Sequence, residues 1–378
     1  MVETDLDILR QTRRDLHRIP EIGFDLEKTS GYIKHRLVEM GYEPISTAKT
    51  GWIVRIPGEV EDAIAFRSDM DGLEITEAAD HTFGSEHPGR MHACGHDGHM
   101  TMLLGLASYL AACPKPGKTI ILIFQPAEEG PGGAEVILKE GLLEHYRIKE
   151  IYGIHLYPGL PEGTIGLCKG PCFARSGEFD IKIEGVSAHA GLPHQGRDAL
   201  LAGAALASEL QSIGGRFLDP LEAYVLNIGT FNSGEARNII AHAASLTGTI
   251  RSYSQATHEV NKTKIREMAS GVGLSYGVKT EVIIRDSYPE VNNDPALVDK
   301  LIRSFQHTQY EMVKPLMLSE DFAYYQIEIP GVFMLLGTGN EAKGFTHALH
   351  SEKFDFNEAV LGKGIEVYVN LLKAEGIL

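Results

Sequence analysis

Apolar positions recur at helical spacing in "DLDILRQTRRDLHRI" and in "LEKTSGYIKHRLVEMGY", the second closing at Gly41, a residue suited to a helix end. "GWIVRIPG" and "DAIAFRSDMDG" read as strands, the latter short, apolar and ending in acids. "MTMLLGLASYLAAC" has the apolar content of a buried helix, and "KTIILIFQ" is apolar on both faces, as a central parallel strand is. "GGAEVILKEGLL" then predicts a helix and "EIYGIHLY" a strand. This alternation predicts an α/β unit with helices on both faces of its sheet, and in such sheets reactive groups gather at the carboxyl ends of the strands.

Around Gly170 the pattern changes. The chain reads strand ("GEFDIKIEGVSAHAG"), helix ("RDALLAGAALASELQSI"), strand ("AYVLNIGTF"), strand ("NIIAHAASLTGTIRS"), helix ("THEVNKTKIREMAS") and strand ("KTEVIIRDSY"). That β-α-β-β-α-β order is the ferredoxin-like one. A helix, "DPALVDKLIRSFQHT", and a strand, "GVFMLLGTG", then resume the first pattern. The expected organisation is a first domain over 1–172, an inserted α+β domain over 173–286, and a return to the first domain over 287–378.

The length, 378 residues, fits two cores better than one. A net charge of −16, with 51 acidic against 35 basic residues, repels phosphate backbones and anionic bilayers, which argues against nucleic-acid and membrane partners. The polar N-terminus shows no signal peptide, no apolar run approaches membrane-spanning length, and four cysteines form no disulfide framework in so long a chain. The expected setting is a reducing cytoplasm. There, a cysteine beside histidines serves as a ligand or nucleophile rather than as half a bridge.

That situation arises in "MHACGHDGHMT", which carries His92, Cys94, His96 and His99 with Asp97 beside them. On a helix Cys94 and His96 would diverge, but in a loop both can meet one point, and thiolate and imidazole are ligands favoured by zinc and its neighbours. The same residues also suit a thiol nucleophile with its base, or a surface turn. "IFQPAEEGPGGAE" brings Glu128 and Glu129 to the end of an apolar strand, where ionised carboxylates are costly unless a cation or hydrogen bonds meet them. One can ligate a metal while its neighbour takes a proton from water. The loop lacks the Lys-Ser/Thr that a phosphate site requires. Asp69 and Asp71 in "RSDMDGL", two apart on a strand, share a face, from which one can orient an imidazole; they also suit an acidic turn. His155 in "IYGIHLY" reads equally as a core histidine, and His347 and His350 in "FTHALHSEKFDF" as surface-loop residues.

Taken in order, these motifs resemble peptidase family M20, in the amidohydrolase/aminoacylase branch that deacylates N-acyl amino acids. The likeness runs through "RRDLHRIPEIGF", "FRSDMDGL", "MHACGHDGHM", "FQPAEEGPGGAE", "GIHLYPGLPEGTIG", "SAHAGLPHQGRDAL", "NIIAHAASLTGTIR", "SEDFAYY" and "LHSEKFDFNE". The resemblance implies a metallo-aminopeptidase-like α/β catalytic domain with a mostly parallel sheet, and an inserted ferredoxin-like lid that often dimerises. It implies two divalent ions (Zn, Mn, Co or Ni) held by Cys94, His96, Glu129, His155 and His350, with Glu128 as general base. The ligand-orienting catalytic aspartate falls on Asp69, with Asp71 as the close second; His99 becomes a supporting residue and His92 stays unassigned. In the lid, His189 would help bind the substrate carbonyl, with Asn238 and Arg251 near the substrate carboxylate.

Within the branch, the opening segments and the Gly-rich loop resemble N-acetyldiaminopimelate deacetylases of lysine biosynthesis. "IPGVFMLLGTGNEAKGFTHALHSEKFDF" instead resembles general aminoacylases and hippurate hydrolases. The implied partner is a small N-acyl amino acid, with a homodimer formed through the lid. Two readings from other classes stand beside this one. A hydrolase with Cys94 as nucleophile and His96 or His99 as base would be indifferent to chelators, and a non-catalytic protein would bind metal or ligand on the same fold.

Overall fold

The computed structural model describes residues 6–78, 81–130, 132–305 and 307–378. The chain opens with two helices, α1 (Leu6–His17) and α2 (Glu27–Glu39), followed by strands β1 (Ile45–Thr47), β2 (Gly51–Ile56) and β3 (Val60–Asp69). After a long irregular segment come α3 (His96–Ala111), β4 (Lys118–Gln125), α4 (Gly133–Lys139), α5 (Leu142–Tyr146), β5 (Ile148–Pro161), β6 (Ile165–Leu167) and β7 (Gly170–Phe173). The single helix expected over "GGAEVILKEGLL" is two, because Gly141 takes φ +87° between them.

Next are β8 (Arg175–Glu184), α6 (Ala199–Leu210), α7 (Ile213–Arg216), β9 (Tyr224–Ser233), β10 (Ala243–Ser252), α8 (Gln255–Tyr276) and β11 (Lys279–Asp286). The chain closes with β12 (Val291–Asn293), α9 (Pro295–Ser304), β13 (Tyr310–Met312), α10 (Ala323–Glu328), β14 (Gly331–Gly339) and α11 (Leu361–Ala374). Two compact units result. The first runs to Gly170 and resumes over Asn292–Lys314 and Asp321–Leu378; the second takes Pro171–Val291 and Pro315–Glu320.

In the first unit eight strands lie in the order β1-β2-β4-β3-β5-β14-β6-β13. The neighbours β4–β3, β3–β5, β5–β14 and β6–β13 are parallel. The expectation for "KTIILIFQ" needs correction on one side, since β4 pairs in parallel with β3 but antiparallel with β2. Its run from Thr119 to Gln125 is fully buried, so the apolar character reported burial on both faces rather than strand direction. Register matters more for function. Asp69 on β3 faces Gln125 on β4, and Arg67 faces Gly153 on β5, so His155 stands level with Asp69.

In the second unit the sheet runs β11-β8-β10-β9, every pair antiparallel, which is the strand order of a ferredoxin-like domain. Phe179, Ile181 and Ile183 alternate along β8 into a core with Leu206 of α6, Leu246 of β10 and Ile265 of α8. No helix among the described residues is long and apolar enough to cross a membrane.

Candidate metal centre

Chain geometry brings the chemistry-bearing residues to one level of the first unit's sheet. Asp69 ends β3, so Asp71 stands past the strand; the shared strand face expected for the pair does not exist, yet both carboxylates still reach His96. Its Nδ1 lies 3.7 Å from Asp69 Oδ1 and 3.6 Å from Asp71 Oδ1. Gly95, with φ +84°, caps α3 and separates Cys94 from His96, which begins the helix instead of lying in a loop. The turn at the cap does what a continuous helix could not: it aims both side chains at one point. After β4 the chain turns at Ala127, itself at φ +59°, and delivers Glu128 and Glu129. The late loop returns through a backbone bond from His350 N–H to the Ala93 carbonyl (2.9 Å), beside Cys94.

All five expected ligands converge. Cys94 Sγ lies 3.4 Å from His155 Nε2, and His350 Nε2 lies 3.2 Å from Glu129 Oε1. His96 Nε2 is 3.9 Å from both Glu128 Oε2 and Glu129 Oε1. Donor atoms of Cys94, His96 and His155 lie within 4.8 Å of one another, and so do those of Cys94, Glu129 and His350. Cys94 thus belongs to both triads. Both ring nitrogens of His96 and one oxygen of Glu129 are buried without a hydrogen bond. Orphaned donors facing one another are costly in a folded interior, and a cation would satisfy them. The residues therefore fit a metal.

A surrounding bond fixes which nitrogen of His155 faces the cluster. His155 Nδ1–H donates to the Leu156 carbonyl (2.7 Å), leaving the Nε2 lone pair toward Cys94. His99 lies outside the ligand set: its Nε2 accepts the Leu156 N–H (2.8 Å) and its Nδ1–H donates to Asp69 (2.7 Å). The two aspartates divide their tasks. Asp69 is occupied by His99 and by Arg67 (2.8 Å), whereas Asp71 accepts the backbone N–H groups of Glu128 (3.0 Å) and Glu129 (3.1 Å) and so aims the adjacent glutamates.

Charge follows this geometry. Burial opposes a proton on His96, but Asp69, Asp71 and Glu129 around it lift its pKa to about 10. Burial, then His99, pushes His155 well below the imidazole range, so it is neutral, the ligand form. Burial, then Glu129 and Glu128, pushes the Cys94 thiol well up. Burial would raise the Asp69 carboxyl, yet His96, His99 and Arg67 hold it well below the usual carboxylate range.

Sequence reasoning missed a buttress under the site. Arg67 bridges Asp69 to Asp321 (2.7 Å) and Gln125 (2.9 Å), and Asp321 also accepts from Gln125 and from the Ala134 N–H (2.9 Å). Alternation along β3 placed Arg67 on the face of Asp69, the one available signal. His347 lies outside the cluster, and His92 is buried with neither ring nitrogen hydrogen-bonded. In the second unit, His189 is exposed and pairs with Ile239, and Ala190 N–H bonds the Asn238 carbonyl (3.0 Å), so His189 and Asn238 lie together. Arg251 does not join them. It is eight residues beyond the start of β10, about 26 Å along an extended strand, with its guanidinium bonded to Thr249 Oγ1.

A mixed sheet carrying thiolate, imidazole and carboxylate donors at one level defines a metal-dependent hydrolase scaffold. The sequence matches Peptidase family M20/M25/M40 over residues 65–374, and the chain belongs to that family. It is 37% identical over 370 residues to an N-acetyldiaminopimelate deacetylase from Geobacillus sp., covering 96% of this chain and 97% of the relative. It is 38% identical over 368 residues to one from Bacillus licheniformis, with 96% and 97% covered. Among solved structures, a protein from methicillin-resistant Staphylococcus aureus superposes with a TM-score of 0.91 at 30% identity, covering 100% of this chain and 98% of that one. The Bacillus subtilis YXEP protein, described as a dinuclear metal binding peptidase from the M20 family, gives 0.85 at 31% identity, with 98% and 99% covered.

Proposed function

We propose that this protein hydrolyses the amide bond of an N-acyl amino acid, with N-acetyldiaminopimelate as the leading substrate. The observation that carries the reading is the convergence of Cys94, His96, Glu129, His155 and His350 with Glu128 alongside. Two divalent ions of the zinc, manganese, cobalt or nickel class, when bound, supply Lewis acidity that lowers the pKa of water and polarises the amide carbonyl. The five side chains would hold them, Cys94 being common to both triads of donor atoms. Glu128 takes the proton from the attacking water and returns it to the leaving amine. Asp71 fixes the pitch of Glu128 and Glu129, and Asp69 acts through His99 on the backbone beside His155.

The relatives named for N-acetyldiaminopimelate support that substrate, since they match nearly the whole chain, including the C-terminal part. The thiol-nucleophile alternative is disfavoured, because burial and two glutamates oppose a thiolate at Cys94 unless a cation is present. Glu128→Gln should retain both ions by metal analysis while amine release falls by about 10² to 10⁴. Near-normal turnover would remove Glu128 from the role, and activity surviving chelation would defeat the class. A panel of acetyl- and benzoyl-amino acids ranks the substrates.

The lid reading extends to a homodimer. On one lid Arg251 stands roughly 26 Å along β10 from Ala243, where the strand begins, and the His189–Asn238 pair lies before that start, too far apart for one small substrate to meet both. We propose that two copies share each substrate, His189 and Asn238 coming from one and Arg251 from the other. Mixing His189→Ala with Arg251→Ala, each inactive, should restore up to about a quarter of wild-type activity, since statistical mixing leaves one intact site in half of the dimers. Mixtures as inactive as their parents would reject the arrangement.

A further inference from the structure

Beyond the centre, the first unit holds a second cluster of metal-ligating groups. The irregular segment between β3 and α3 is pinched where Leu73 and Met91 exchange two backbone hydrogen bonds (2.9 and 3.0 Å). Loops of this length are uncommon in compact domains unless they act or are pinned. From it, Glu77 and His81 meet His17, in the last turn of α1. Glu77 Oε1 lies 2.8 Å from His17 Nε2 and 2.9 Å from His81 Nε2, and the three donor atoms share a sphere of 4.8 Å. Side-chain exposure is 0% for His17, 9% for Glu77 and 10% for His81.

Two features point to a cation. His81 Nδ1 is buried without a hydrogen bond and its Nε2 meets only the Glu77 carboxylate, although the side chain is nine-tenths buried and its ring lies flat against Phe83 (3.9 Å, 6°). Behind His17, Asp97 Oδ2 takes the Nδ1–H (2.7 Å), the outer carboxylate that commonly orients a metal-bound imidazole. Glu77 Oε2 is anchored by the Ser85 N–H (2.6 Å). The local charge agrees. Arg13 lies against Asp97 and Asp355 and Arg14 against Glu358, so three carboxylates meet two guanidinium groups and Glu77 adds a further negative charge beside His17. A cavity of about 350 Å³ lined by Ala78, His81, His347 and Asp355 offers an entry path and room for water.

We propose that His17 Nε2, Glu77 Oε1 and His81 bind a divalent transition-metal cation of the zinc type, with solvent completing the shell, and that this ion staples Glu77 and His81 to the end of α1. Tetrahedral bonds of about 2.0–2.1 Å set ligand atoms roughly 3.3 Å apart, so each present contact opens by about half an ångström to admit it. Binding displaces whatever proton the two imidazoles share with Glu77.

Metal content after equilibrium dialysis of the full chain against Zn²⁺ tests this. A variant stripped of the main centre, Cys94→Ser with His96→Ala and His350→Ala, should keep one equivalent. Adding His81→Ala to it should abolish that equivalent. The count is read independently of hydrolysis, so it stands apart from the proposed activity. In wild-type protein, ¹⁵N NMR of His17 guards against misfolding of the variants: zinc should leave Nδ1 protonated and Nε2 not. An imidazolium protonated on both nitrogens in excess zinc would overturn the proposal and leave a hydrogen-bonded clamp. So would a centre-less variant that folds and holds no zinc.

Discussion

Among single residues, His96 and Cys94 carry the sharpest consequence for solution behaviour. In the metal-free centre His96 keeps its proton up to about pH 10, and burial with Glu129 and Glu128 holds the Cys94 thiol well above its ordinary range. A metal takes imidazole and thiolate, so binding releases both protons. Apparent Zn²⁺ or Co²⁺ affinity should therefore rise by about two decades per pH unit between roughly pH 7 and 9. Competition titrations with a chromophoric chelator read that slope, and a flat profile would break the ligand assignment. Because the His96 pKa is raised, its contribution to metal-free stability is full below about pH 6.5 and is lost as pH climbs through about 10. The ligand set was legible because each member sits in a motif whose residue types favour one chemistry. The buttress was not, because Arg67 and Asp321 are 254 positions apart and Gln125 and Asp321 are 196 apart. Nothing local marks a bond closed only by the fold. Asp69 and Asp71 were ambiguous for the same reason: which backbone N–H groups each would meet depends on where β4 ends.

Two turns set the aim of the ligands, and both use left-handed backbone. Gly95 stands at φ +84° between Cys94 and His96, and a Cβ there would meet Leu156 Cδ1 at 3.1 Å and Phe354 Cε1 at 3.4 Å. Gly95→Ala should cost about 1–2 kcal/mol from the left-handed conformation and should also weaken metal binding. Ala127 already occupies such a conformation, φ +59°, two residues before Glu129. Ala127→Gly should be near neutral, since relief of about 1 kcal/mol of backbone strain is offset by about 0.5–1 kcal/mol of extra unfolded-chain entropy. Denaturant unfolding of the metal-free variants checks the pair; equal destabilisation by both changes would refute this account of the turns. Hydrophobic periodicity exposed most helices and strands but misplaced the start of α3. The apolar run begins near Met100, whereas the helix begins at His96, whose polar first turn is buried by the site rather than by apolar packing. Periodicity reports apolar burial only.

On the scale of the whole chain, all ligands of the centre lie in the first unit, and the second, Pro171–Val291 with Pro315–Glu320, supplies none. Removing metal leaves Asp69, Asp71, Glu128 and Glu129 gathered around His96 with its single positive charge, an electrostatic load that the ions offset. An ion present at a thousandfold its dissociation constant stabilises the state that binds it by about 4 kcal/mol. In a unit of about 250 residues this corresponds to a rise of roughly 8–16 °C in melting temperature. Hydrogen exchange locates the gain. On adding metal to chelated protein, amides of β3, β4, β5 and the first turn of α3 should gain protection, because these elements present the ligands. Amides of β8–β11 should hold theirs unchanged. Protection rising equally in both units would show that the ions act on something other than the convergence at β3–β5, and a melting temperature indifferent to metal would show that the donors never close around one.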